Sequence, residues 1–69
     1  MTKVQNDFVD VILERIDMEI TMGRMKPVLG GFPAKVRYAK NMAANYMFNV
    51  SFEKNVEVAI WFIKTWADY

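Results

Sequence analysis

The segment 51-SFEKNVEVAIWFIKTWADY-69 holds both tryptophans and the longest uninterrupted apolar run of the chain, residues 58–63. How it folds sets the class of the protein. Counted at 100° per residue, Phe52, Val56, Ala59, Ile63 and Trp66 fall on one stripe, flanked by Val58, Ile60 and Phe62. Glu53, Lys54, Glu57, Lys64 and Asp68 take the other side, and Trp61 lands in the middle of that polar side. Ser51, the only serine, stands where a helix N-cap is needed. The rival is a β-hairpin of residues 45–52 and 56–63 around Glu53, Lys54 and Asn55, since Val, Ile, Trp and Phe are good strand formers. Its turn has no glycine, and residues 59–63 show no alternation of apolar and polar side chains. The helix is therefore the expected form. The hairpin would instead make an α+β protein of two helices and a C-terminal hairpin.

Upstream, Pro33 fits the first position of a second helix, where a missing N–H costs nothing. That helix is expected over residues 33–48. Val36, Ala39, Ala43, Tyr46, Met47 and Val50 share one face, and the two alanines allow a neighbouring helix to come close. Arg37, Tyr38, Asn41, Asn45 and Phe48 lie on the opposite face. Residues 25–33 carry four of the five Gly and Pro residues and read as a loop, with Val28, Leu29 and Phe32 tucked against the bundle.

The first helix is expected from residue 4 to 22 or 24, with Asn6 as an alternative cap and Gly23 as its C-terminal stop. Its main apolar face is Phe8, Val9, Ile12, Leu13, Ile16 and Ile20. Asp7, Asp10, Glu14 and Asp17 form an outward acidic stripe beside Thr21. Val4, Val11, Met18 and Met25 recur every seven residues on the acids' other flank. Two apolar strips imply two neighbours, and this second strip is the expected self-association surface. The chain thus reads as all-α, one three-helix domain over residues 1–69.

At 69 residues, only about 60% of the unfolded chain's surface is buried on folding. Small domains usually add a disulfide, a metal or a partner subunit. With no Cys and no His, a disulfide and a thiolate or imidazole zinc site are excluded. Dense packing and self-association remain, and a homodimer or small oligomer is expected. The N-terminal residues lack the apolar core of a signal peptide, and no apolar run approaches the ~20 residues of a membrane-spanning helix, so a cytoplasmic protein away from membranes is expected.

Catalysis is poorly provided for, because the side chains that titrate near neutral pH are missing. No catalytic residue, metal or cofactor is expected. Charge is uneven: net −3 over residues 1–19, +5 over residues 20–52 and −1 over residues 53–69. An acidic helix packed beside a basic one accounts for this. The surplus aromatics point to protein binding, with Trp61, Tyr38, Phe48 and Arg37 as the expected contact residues. The alternative is nucleic-acid binding by Arg24, Lys26, Lys35, Arg37 and Lys40. Small Met- and aromatic-rich domains of this kind occur among phage and mobile-element accessory proteins, and the expected role is to bind and inhibit a host protein.

Overall fold

The computed structural model describes residues 1–67. Three helices follow one another: α1 (Lys3–Thr21), α2 (Gly31–Asn45) and α3 (Phe52–Ala67). Among the described residues there is no strand, so the C-terminal segment is the expected helix and not a hairpin. Asp68, assigned above to the polar side of that helix, lies outside the described residues.

Each boundary has a local cause. Thr2, rather than Asn6, caps α1: its hydroxyl accepts from Gln5 N–H at 3.1 Å, and Gln5 Oε1 accepts from Thr2 N–H at 2.8 Å. At the other end Gly23 adopts φ +73°. It donates to the Ile20 carbonyl while Arg24 donates to that of Glu19, which satisfies two carbonyls left open by the end of the helix. Left-handed Gly30 starts α2 two residues earlier than expected, and Pro33 becomes its third residue, where the N–H still lies outside the helical ladder. α2 also stops early, at Asn45. The amide of Asn55 takes the backbone of Phe48 instead, accepting from its N–H at 2.9 Å and donating to its carbonyl at 3.1 Å. Ser51 caps α3 through Lys54 N–H.

Cross-helix contacts fix the topology. Gln5 meets Ala43 and Asp17 meets Lys35, so α1 and α2 are antiparallel neighbours. Phe8 meets Phe52 and Glu19 meets Lys64, so α3 returns parallel to α1. The central core is Phe8, Ile12, Ile16, Met42, Val56 and Ile63, each almost wholly shielded from solvent. No helix among the described residues is long and apolar enough to cross a membrane.

Several inward and outward assignments change: Val50 and Phe52, placed on apolar faces, are 52% and 40% exposed. Met25 does not extend the α1 strip: the chain has already turned at Gly23, and its side chain is in the core. Leu29 and Phe32 stay exposed, at 74% and 63%, and of the three residues expected to tuck in only Val28 is buried. Glu19, unlike the acids of the outer stripe, is buried, and it sits between two cations.

Candidate functional site

The seam between α2 and α3 is built from rings. Tyr38 and Tyr46 come from α2 and its end, Phe62 and Trp66 from α3, and all four are half-buried. Tyr38 lies 5.6 Å from Trp66 and Tyr46 lies 5.3 Å from Phe62, centroid to centroid. Phe62 and Trp66, one helical turn apart, stack at 6.0 Å with 26° between their planes. Trp61 continues the row, edge-on to Phe62 at 5.3 Å, and is 64% exposed. Asn41 and Asn45 lie three and seven residues beyond Tyr38 on the same face of α2, and Asn45 donates to the Asn41 side-chain oxygen at 2.8 Å. The surface therefore has an aromatic centre and an amide edge.

The four residues expected to contact a protein do not form one group. Tyr38 and Trp61 both belong to the ring row, though Tyr38 is half-buried against Trp66 and not on an outer face. Phe48 is half exposed in the loop after α2, its backbone held by Asn55. Arg37 is exposed on the outside of α2 and, among the described residues, makes no ion pair. Phe62, Trp66 and Tyr46 were expected in or beside the core. They do pack against it, and the i, i+4 spacing of Phe62 and Trp66 stacks their rings along its edge.

Of the proposed self-association strip, Val4 and Met18 are exposed, Val11 is half-buried and Met25 is internal; Met22, at 60% exposure, takes its place.

The basic segment is also divided. Arg24 donates from Nε at 3.0 Å, and from Nη2, to one carboxylate oxygen of Glu19, and Lys64 takes the other oxygen at 2.6 Å. Those charge-assisted bonds, Arg24 first and Lys64 second, hold the Glu19 pKa at about 2, against an ordinary 4.5. The same carboxylate raises the Arg24 pKa further. Lys35 is paired with Asp17 at 2.7 Å and sits over the Phe32 ring. Of the five, Lys26, Arg37 and Lys40 are without an ion-pair partner among the described residues and stay open to a nucleic acid. A depression of about 270 Å³ at Gly23, Arg24, Met25 and Lys26 brings no free cation beyond Lys26, because Arg24 is committed to Glu19. Among the described residues no three acids converge to hold a metal ion.

Comparison of the chain with protein-family models, with curated proteins and with solved structures returned no match.

Proposed function

We infer that this chain is a non-enzymatic module that binds a protein partner through the α2–α3 seam and works as a small oligomer. The observation that carries the reading is the continuous row of five rings ending in the exposed indole of Trp61. A solitary surface aromatic is ordinary. Trp61 is not solitary: it is the open end of a packed row. Rings already braced by one another have little side-chain freedom left to lose on binding, which favours them as anchors. The amide edge supplies hydrogen bonds around an apolar centre, the usual arrangement of an interface. A module of this kind acts by occupying its partner's surface, which suits the inhibitory role expected of an accessory protein. Self-association is supported by the small size of the chain, which has no cysteine for a disulfide, and by the exposed Val4, Met18 and Met22.

The test uses the full chain and its Trp61→Ala variant as baits in extract of the native host. Hot-spot truncation typically costs at least about 2 kcal/mol, so capture of the partner should fall by roughly 30-fold while the variant melts like the parent. Equal capture by both baits would remove the seam from the reading. Retention on DNA or RNA that falls steeply with salt, and is lost in Arg37→Glu/Lys40→Glu, would favour the nucleic-acid alternative.

A further inference from the structure

The charges of this molecule sort into two groups. Among residues 1–67, eleven of the sixteen charged side chains sit in ion pairs within the chain. The exceptions are Asp10 and Glu14 on α1, and Lys26, Arg37 and Lys40 on or before α2. The unpaired acids are thus confined to α1, and the unpaired bases to α2 and the loop before it. Asp10 and Glu14 are one turn apart, and so are Arg37 and Lys40. Each couple is exposed and places like charges together, a small cost within one molecule.

Their heights match. Gln5 lies against Ala43 and Asp17 against Lys35, so residue numbers on α1 and α2 that face each other sum to about fifty. By that register Asp10 is level with Lys40, and Glu14 with Arg37. Within one chain these groups point outward from adjacent helices and do not pair. A second copy, rotated half a turn about an axis parallel to the helices, would set α1 of each copy over α2 of the other at unchanged height. Both acid–base couples then form twice, once on each side of the axis, as a twofold interface requires. Leu13 on α1 and Val36 on α2, both half-buried, fall at matching heights between those charges.

We propose that the α1–α2 face is a homodimer interface in which Asp10 and Glu14 of one copy meet Lys40 and Arg37 of the other. This rests on the self-association inferred above and gives it a face other than the apolar strip of α1. Exposed ion pairs add little affinity singly. Here they select the register and the partner, since only a copy with the same two rows satisfies both.

Sedimentation velocity of the full chain over a concentration series tests the proposal. The parent should dimerise, and the dimer should dissociate as salt rises. Asp10→Lys/Glu14→Lys should be monomeric at concentrations where the parent is dimeric, and so should Arg37→Glu/Lys40→Glu. The four-residue swap carrying both pairs of changes keeps the net charge at +1 and should dimerise again. Its recovery separates matched charges from a general effect of net charge. All four sites are exposed and unpaired, so circular dichroism melts of the variants should match the parent. A dimer that ignores both reversals but is lost in Met18→Asp would overturn this face and keep self-association on the apolar strip. A parent that stays monomeric throughout would overturn self-association and this face together, leaving the aromatic seam to its own test.

Discussion

The contacts of α1 and the seam between α2 and α3 are made of different materials. α1 is tied to its neighbours by polar groups: Gln5 to the Ala43 carbonyl, Asp17 to Lys35, Arg15 to Glu53, Glu19 to Lys64. Among the described residues no ion pair and no side-chain hydrogen bond joins α2 to α3, and rings span the gap instead. A satisfied ion pair has little left to offer a third group. A half-buried ring has one surface used in packing and another still open. The same molecule thus commits most polar groups of α1 to internal contacts, Asp10 and Glu14 excepted, and leaves aromatic surface open along α3, so stability and recognition need not compete for the same atoms.

Removing a ring that spans the seam should have the largest effect. Trp66 touches Tyr38, Tyr46 and Phe62. Trp66→Ala should lose about 3 kcal/mol, near the low end for truncating a large aromatic because the side chain is only half-buried. For a chain this short the whole stability is on the order of 5 kcal/mol. Urea denaturation should therefore show the midpoint falling by more than half. A loss below about 1 kcal/mol would mean the seam is packing of convenience and the comparison with α1 is empty.

The polar side has its own weakest point. Glu19→Gln keeps the shape of the side chain and removes the charge that both Arg24 and Lys64 use. The expected cost at pH 7 is roughly 2 kcal/mol, since both cations are partly exposed and can rehydrate. The pH dependence gives a second check. Glu19 has a folded pKa of about 2, below its ordinary 4.5, so its contribution is complete above 4.5 and disappears as pH falls towards 2. The stability gap between parent and Glu19→Gln should be constant from pH 7 to about 5 and should close below that. A gap independent of pH would separate the effect of the substitution from the charge.

The helices were legible because amphipathic period, caps and breakers agree: Ser51 and Gly23 act where the sequence put them. Other placements were not legible. Glu19 and Asn55 stand at helical angles on or beside the apolar faces of their helices, but only tertiary contacts show that a carboxylate and an amide are buried there, and Met25 turns inward only because the chain bends at Gly23. Glu19 is drawn inward by Lys64, forty-five residues on, as well as by nearby Arg24. Asn55 is buried because the loop at Phe48 needs its amide, which also ends α2 earlier than apolar spacing implies. Tyr38 was assigned outward by its helical angle alone, but it lies beside the α3 seam and a tyrosine is long enough to lean into it. The exposure of Trp61 needed no tertiary information, since its angle opposes the apolar stripe by half a turn.

Trp61 and Trp66 make the sharpest form of the comparison: one residue type, one helix, five positions apart. Among the described residues Trp61 touches only the Phe62 ring and stands 64% exposed, so Trp61→Ala should change stability by no more than about 0.5 kcal/mol. The fluorescence of each indole reports the same asymmetry. In Trp66→Phe the remaining Trp61 should be quenched readily by acrylamide in the folded state. In Trp61→Phe the remaining Trp66 should resist until urea unfolds the chain. If Trp61→Ala unfolds the protein, the row of rings is structural to its end, and the indole is not free to serve a partner. Equal quenching of the two indoles would likewise erase the distinction between the braced and the open end of the seam.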